Sequence, residues 1–84
     1  MYYVYFAKSL KNNKIYVGKT EKDPVVRLSE HNSGSNEWSR NNKPFELVYY
    51  EKYYCKTDMS MRELFFKSGV GKKVKLAIVK SMGR

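Results

Sequence analysis

Alternating apolar and polar positions predict two short strands at the start of the chain. Residues 2–8 and 14–18 are rich in Tyr, Val, Ile and Phe, and the KNNK segment between them is polar. Successive side chains of a strand point to opposite faces, and asparagine accepts the positive φ that a tight turn requires. We therefore expect a β-hairpin whose aliphatic side chains face a core, with Tyr5 and Tyr16 together on the opposite face.

A helix is predicted after this hairpin. Asp23 is a good N-cap residue, Pro24 suits the first helical position and Gly34 is a typical stop, which leaves about three turns between them. Arg27 and His31 lie four residues apart and therefore share one polar face. Such a face is most often an exposed basic surface, but this one also points toward the region that the two tyrosines would occupy.

The second half of the chain is predicted to contain a third strand and two more helices. The polar segment SGSNEWSRNNK is expected to be a loop, and PFELVYYEKYY alternates as a strand does. A helix then begins at Thr57 or Asp58 and ends near Gly69. A final helix follows Gly71, with an apolar stripe and a lysine-rich remainder.

The predicted element order is β-β-α-β-α-α in a single domain of residues 1–84. A chain of 84 residues has room for one modest core. We expect an α+β fold, within the wider α/β class, in which helices flank a small three-stranded antiparallel-type sheet.

The charge balance favours a polyanionic partner. The chain carries 17 Lys and Arg residues against 8 Asp and Glu residues, with a formal net charge of +9 at pH 7 and a pI near 9.7. Nucleic acid is the leading partner, although an anionic membrane surface or a ribosome would also attract this charge. The short apolar start of the chain is neither a typical signal peptide nor a spanning helix, so we expect a soluble, cytoplasmic protein without a membrane partner.

The numbers of cysteine and histidine residues argue against two kinds of site. Cys55 is the only cysteine and His31 the only histidine, so neither a disulfide framework nor a Cys/His zinc site within the chain is expected. Taken one at a time, the other polar candidates have ordinary structural explanations. Tyrosines are common in strands, and a helical glutamate such as Glu63 is usually solvated.

Five segments in a fixed order change that interpretation. They are YVY (3–5), KIYVGKT (14–20), RLSEHNSG (27–34), KPFELVYYE (43–51) and MRELFFK (61–67). In their order and spacing, over nearly the whole chain, the sequence resembles the GIY-YIG endonuclease superfamily, especially its small stand-alone members. The departures are mild: the two name triplets read YVY and YVG, and the first lacks the usual glycine.

By this resemblance, the catalytic residues are Tyr5, Tyr16, Arg27, His31 and Glu63. Glu63 alone would hold a divalent metal, Mg²⁺ or Mn²⁺, with waters and substrate phosphate as the remaining ligands. Tyr16 would be the general base, a role in which a phenol needs nearby cations. Arg27 would bind phosphate oxygens, Tyr5 would orient water, and His31 would relay a proton.

Further residues are candidates for substrate binding. Lys19 matches a lysine found in some members of the superfamily. Arg40, like Trp38 in the same polar segment, could touch the nucleic acid or simply pack. The last helix adds charge suited to a phosphate backbone at Lys72, Lys73 and Lys75, although a lysine-rich helix is at least as often plain solvated surface.

Two functions remain open from the sequence. The first is a divalent-metal-dependent endonuclease, a phosphodiester hydrolase that nicks DNA in repair or recombination. The second is a non-catalytic nucleic-acid-binding module of the same fold. Glu63 favours the enzyme, because a carboxylate in a basic site weakens phosphate binding unless a cation bridges the two. We expect a monomer or a weak homodimer, with DNA as the preferred partner and RNA as the alternative.

Overall fold

Strands and helices follow one another in the predicted order, with one additional helix. The computed structural model describes residues 1–83. Its elements are β1 (Tyr2–Ser9), β2 (Ile15–Thr20), α1 (Pro24–Asn32), α2 (Glu37–Asn42), β3 (Phe45–Tyr53), α3 (Lys56–Lys67) and α4 (Gly69–Ser81). The α+β class and the three-stranded antiparallel sheet are confirmed. None of the helices in this range is long and apolar enough to cross a membrane.

Strand β1 lies at the centre of the sheet, whose strand order is β2-β1-β3. The turn of the hairpin contains Asn13 at φ 63°, a conformation that asparagine adopts more readily than most residues. The register pairs Tyr5 with Gly18 and Ala7 with Tyr16. The two tyrosines therefore lie on one face, as predicted, and they are diagonal neighbours across the two strands.

Helices cover both faces of the sheet. On one face, α3 and α4 enclose the larger core, which consists of Val4, Phe6, Val48, Met59, Phe66 and Val79. On the other face, α1 packs through Leu28 against a smaller cluster of Tyr5, Ala7 and Phe45. The sheet thus separates two helix layers, and only its edges are open.

Helix α1 begins as predicted but turns an unexpected face inward. The Asp23 carboxylate accepts a hydrogen bond from the Val25 N–H (2.8 Å), and Pro24 occupies the first turn. His31 is only 4% exposed, whereas Val25 is 62% exposed. The interpretation of the Arg27 and His31 face as an exposed basic surface is therefore wrong for His31, which lies against the sheet.

The segment predicted as a loop contains the short helix α2. Asn36 caps this helix by accepting a hydrogen bond from the Ser39 N–H (2.8 Å). Trp38 stacks on Phe45 of β3, with ring centroids 5.1 Å apart. The loop prediction was wrong because so short a segment carries no apolar repeat, and the helix depends on its cap and on this distant aromatic contact.

An ion pair holds α3 on β3. Arg62 donates from Nε to Glu51 Oε1 (2.9 Å) and from Nη2 to Oε2 (3.1 Å). The hydroxyls of Tyr49 and Tyr53 donate to the same carboxylate. Burial and these bonds to Glu51 raise the pKa of each tyrosine to about 12. Because Arg62 is fixed on the strand, the next residue of the helix, Glu63, is oriented as well.

A close junction joins α3 to α4. The Ser68 hydroxyl caps α4 by accepting a hydrogen bond from the Gly71 N–H (3.1 Å). Since this cap precedes both glycines, α4 begins at Gly69, earlier than predicted. A Cβ at Gly71 would lie 1.5 Å from the Phe65 carbonyl oxygen. Glycine is therefore required at Gly71 by the close approach of the α3 backbone.

Gly71→Ala is expected to destabilise the fold by about 1–3 kcal/mol, because the added methyl group overlaps the backbone of α3. Gly69→Ala is the matched control. Open space surrounds its Cβ position, and alanine is the better helix former, so its stability should equal or slightly exceed that of the wild type. Urea denaturation followed by circular dichroism measures both variants, and equal stability of the two would contradict this packing.

Candidate active site

A cleft of about 520 Å³ follows the edge strand β2 and is lined from both helix layers. Its lining includes most of the predicted site residues, namely Tyr5, Tyr16, Lys19, Arg27, His31, Glu63 and Lys72. The structure therefore brings the whole predicted catalytic set to one place. Arg40 and Lys73 do not line this cleft. Arg40 instead donates a hydrogen bond to the Gly34 carbonyl (3.3 Å).

Tyr5 projects from the central strand across Gly18 of the edge strand. A Cβ at Gly18 would lie 2.3 Å from both Cζ and Oη of Tyr5. Real side chains do not approach so closely, so only glycine leaves space for the phenol. This contact gives the glycine of the KIYVGKT segment a physical role, which is to admit the tyrosine of the neighbouring strand to the cleft.

A chain of hydrogen bonds runs from Tyr5 through His31 to Ser39. The Tyr5 hydroxyl lies 2.9 Å from His31 Nε2, and His31 Nδ1 lies 3.0 Å from the Oγ of the fully buried Ser39. Burial raises the pKa of Tyr5, although the charge of Arg27 opposes this. Burial and the charge of Arg27 lower the pKa of His31. Both groups are therefore neutral at pH 7, and Tyr5 retains its proton.

Asn32 fixes the end of α1 that carries His31. Its side chain donates from Nδ2 to the Phe45 carbonyl (3.1 Å) and accepts at Oδ1 from the Phe45 N–H (2.6 Å). His31 also packs on the Phe45 ring, with centroids 5.7 Å apart. The end of α1 and the start of β3 are thus tied together, and the imidazole has little freedom to turn.

The hydroxyl of Tyr16 lies among asparagine amides. It donates to Asn42 Oδ1 (3.0 Å) and accepts from Asn12 Nδ2 (3.2 Å). Its ring meets the ring of Trp38 edge to face, with centroids 4.9 Å apart. The second phenol of the cleft is therefore held by its own contacts, separately from the first.

Arg27 brings a positive charge to the cleft wall. Its Nη1 donates to Glu30 Oε1 (3.0 Å), and Glu30 also pairs with Lys22. The Arg27 side chain is 33% exposed. A guanidinium carries several N–H donors, so donors remain for an anion in the cleft after the bond to Glu30 is made.

Among the described residues, Glu63 is the only acidic one that lines the cleft, and it is 8% exposed. Lys67, one turn further along α3, donates to Glu63 Oε2 (2.8 Å). Within residues 1–83 no buried side-chain oxygen lacks a hydrogen-bond partner, so Oε1, which has none, is reached by solvent. Such a half-paired carboxylate fits one Mg²⁺ or Mn²⁺ ion that keeps most of its water ligands. The described residues contain no cluster of three His, Cys, Asp or Glu side chains that would form a fuller metal site.

Basic side chains dominate the charged lining of the cleft, which contains Lys19, Arg27, Lys67, Lys72 and Lys75. Burial and the charge of Lys72 lower the pKa of Lys75. The charges of Lys72 and Lys75 are thus close enough to disfavour one another. A polyanion in the cleft would relieve this repulsion, as nucleic acid does for many basic sites.

The sequence did not reveal every contributor to the site. Lys67 carries a weak signal, since it lies four residues after Glu63 and such pairs face each other on a helix. Ser39 and Asn42 carry none. Ser39 lies eight residues after its partner His31, and Asn42 lies 26 residues after Tyr16. Neither pair lies within one helix or strand, and each pair comes close only after α2 has formed against β3.

Comparison with known proteins places this geometry in a family. The family model described as the GIY-YIG catalytic domain matches residues 1–76. The chain belongs to the GIY-YIG family. UPF0213 protein SH2523 of Staphylococcus haemolyticus (strain JCSC1435) is 32% identical to it over 68 residues, which are 80% of each chain. No solved structure matches the chain significantly.

Membership in the GIY-YIG family confirms the resemblance found in the sequence. It implies nuclease activity and the binding of nucleic acid. Nucleases of this family generally depend on a divalent metal, which agrees with a cleft that holds one available carboxylate among cations.

His31 is expected to titrate below the ordinary histidine value of about 6.5, because burial and Arg27 disfavour the imidazolium. Its pKa in the folded state then lies below that in the unfolded state. The stability that neutral His31 contributes is present above about pH 6.5 and is lost as the pH falls to the folded-state pKa. NMR titration of this single histidine measures the value. A pKa at or above 6.5 would contradict the buried hydrogen-bond chain, and His31→Gln should remove this part of the pH dependence of unfolding.

Proposed function

We propose that the protein is a divalent-metal-dependent endonuclease that hydrolyses phosphodiester bonds and nicks DNA. One observation carries the proposal: a single cleft is lined by two phenols, a guanidinium and a half-paired carboxylate, among lysines. Hydrolysis of a phosphodiester needs a phosphate clamp, a base for the attacking water and a metal ligand. The cleft offers a residue for each of these tasks.

Arg27 and the lysines bind the scissile phosphate and its neighbours. The planar guanidinium can donate in parallel to two phosphate oxygens, and its charge stabilises the charge that develops in the transition state. Lys19 is exposed near the end of β2 beside Gly18. Lys72 and Lys75 extend this positive surface along α4, where they contact the DNA phosphates next to the scissile one.

Tyr16 is the general base in this proposal, and Tyr5 is not. Burial raises the pKa of Tyr5, and its hydroxyl is paired with His31, so Tyr5 keeps its proton and orients its neighbours. Tyr16 is the other phenol of the cleft, and it acts as the phenolate after its own proton has passed to solvent. The phenolate takes a proton from the attacking water as the new bond to phosphorus forms and the bond from phosphorus to the leaving oxygen breaks. Neutral His31 holds Tyr5 in place and can pass a proton along the same hydrogen-bond chain.

Glu63 would hold the divalent ion through Oε1, the carboxylate oxygen that has no hydrogen-bond partner in residues 1–83. When bound, the ion polarises the phosphate and stabilises the leaving oxygen. The Lys67 side chain is 52% exposed, so its ammonium can leave Oε2 and turn toward the phosphate. One catalytic set per chain cuts one strand at a time, so a monomer or a weak homodimer is sufficient for nicking.

Glu63→Gln is expected to lower metal-dependent nicking of supercoiled plasmid by at least about 100-fold, since a metal ion contributes several kcal/mol to the transition state. Binding of DNA in EDTA should be retained, because the substitution removes a negative charge and leaves the cations in place.

Asp58→Asn is the matched control, because it removes the same charge from an exposed position on the same helix and should nick like the wild type. Undiminished nicking by Glu63→Gln would remove this residue from the site. Binding of DNA by the wild type without any metal-dependent nicking would instead favour a non-catalytic binding module.

Tyr16→Phe keeps the ring against Trp38 but removes the hydroxyl, so we expect turnover to fall by about 100-fold or more, as for loss of a general base, while DNA affinity changes little. Single-turnover cleavage and fluorescence anisotropy measure the two quantities separately. Tyr54→Phe serves as the control, since this tyrosine is 89% exposed and lies outside the cleft. If turnover and affinity fell together, Tyr16 would have a binding or packing role.

A further inference from the structure

Trp38 lies at the cleft and has no part in the chemistry proposed above. It shares the lining with Arg27 and Tyr16 and is 39% exposed. It is also the only tryptophan of the chain. Burial of the whole indole would be favourable. Its partial exposure beside a basic cleft therefore requires an explanation.

The ring of Trp38 is held from one side. Its inner face stacks on Phe45 at an interplanar angle of 25°. The rings of Tyr16 and His31 meet it edge to face, with centroids 4.9 and 5.2 Å away. Asn42 donates from Nδ2 to the Trp38 carbonyl (2.8 Å) and so fixes the backbone. Within residues 1–83, Phe45 is the only ring stacked on Trp38, so the opposite face has no stacking partner and the ring is held in a fixed orientation.

The indole N–H of Trp38 is also available. It makes no hydrogen bond within residues 1–83, and no buried side-chain nitrogen in that range lacks a partner, so the N–H is open to solvent. Trp38 thus offers a flat apolar face together with a polar donor. These are the two features by which aromatic side chains bind nucleobases.

We propose that Trp38 forms a stacking site for an unpaired nucleobase adjacent to the phosphate bound in the cleft. This inference rests on the proposed nuclease function and specifies its substrate class. A base inside a duplex has both faces covered by its neighbours, so only a base that has left the helix can stack on the indole. The preferred substrate is therefore DNA with an unpaired strand, such as a flap, a branch or a gap.

The positive charge of the cleft favours an unpaired nucleic-acid strand over an apolar peptide. The basic residues that line the cleft beside Trp38 attract the phosphates of a nucleic-acid strand. One nucleotide then lies with its phosphate at Arg27 and its nucleobase on the indole. Backbone contacts supply affinity for any nucleic acid, whereas the stacking contact distinguishes unpaired from paired strands.

The first test uses the intrinsic fluorescence of Trp38, which reports on this position alone. The wild-type protein is titrated in EDTA, so that no cleavage occurs, with an oligothymidine of about 12 nucleotides and with a duplex of the same length. We expect quenching by the single strand and little change with the duplex. Binding of the single strand without any change in fluorescence would overturn the proposal.

The second test compares variants of the same position by fluorescence anisotropy with labelled DNA. Trp38→Leu removes the aromatic face and should weaken binding of the single strand by about 5- to 150-fold, while duplex binding changes little. Trp38→Phe keeps both an aromatic face and the contact with Phe45, so it should retain most of the affinity. Tyr54→Leu, at an exposed tyrosine outside the cleft, should bind both ligands like the wild type.

The outcomes separate the stacking site from the nuclease. An equal loss for single strand and duplex in Trp38→Leu would mean that Trp38 only supports the fold of the cleft, and it would overturn the stacking site. If plasmid nicking persisted in that case, the nuclease function would stand. A wild-type protein that neither bound nor cut DNA would overturn both proposals. Should Trp38→Leu fail to fold, the wild-type quenching and the affinity of Trp38→Phe decide the question.

Discussion

The phenol of Tyr5 in the middle of the central strand constrains the rest of the site. Tyr5 is only 5% exposed, so its hydroxyl needs a hydrogen-bond partner, and His31 of α1 is that partner. The imidazole in turn needs a second partner, which brings Ser39 of α2 to the same place. Gly18 opens the neighbouring strand for the ring. The buried hydroxyl of Tyr5 thus accounts for the glycine at Gly18 and for the positions of α1 and α2.

Local patterns predicted most of the fold, and long-range partners account for what they missed. The hairpin, the Asp23-Pro24 start of α1 and the third strand follow from alternation and capping, which are properties of neighbouring residues. Helix α2 depends on the contact of Trp38 with Phe45, which belongs to the next element, and the burial of His31 depends on Tyr5, which lies 26 residues earlier. The main site residues were predicted from the resemblance to a family, and the cleft brings them together, whereas the spacing of four residues gave only a weak signal for the pairing of Glu63 with Lys67.

Two glutamates of the structure show how hydrogen bonding separates support from chemistry. Burial opposes ionisation of Glu51, but the bonds from Arg62, Tyr49 and Tyr53 outweigh it and lower the pKa of Glu51. That carboxylate has no capacity left for a ligand and serves to fasten α3 to β3. Glu63 has one oxygen paired and the other open, on the same helix and one residue after Arg62. The ion pair of Glu51 with Arg62 fixes α3 on β3 and thereby holds the half-paired carboxylate of Glu63 in position.

The placement of the cleft along an edge strand has a consequence for how such a domain can change over evolution. Glu63 belongs to the layer of α3 and α4, whereas Trp38 belongs to the opposite layer, so the sheet separates the carboxylate that we propose as metal ligand from the ring that we propose as stacking site. Substitutions or insertions in α2 can alter which strands are accepted without disturbing the core under α3. Since Ser39 and Asn42 of α2 also hold His31 and Tyr16, a domain arranged in this way can acquire new targets only through changes that keep these two side chains.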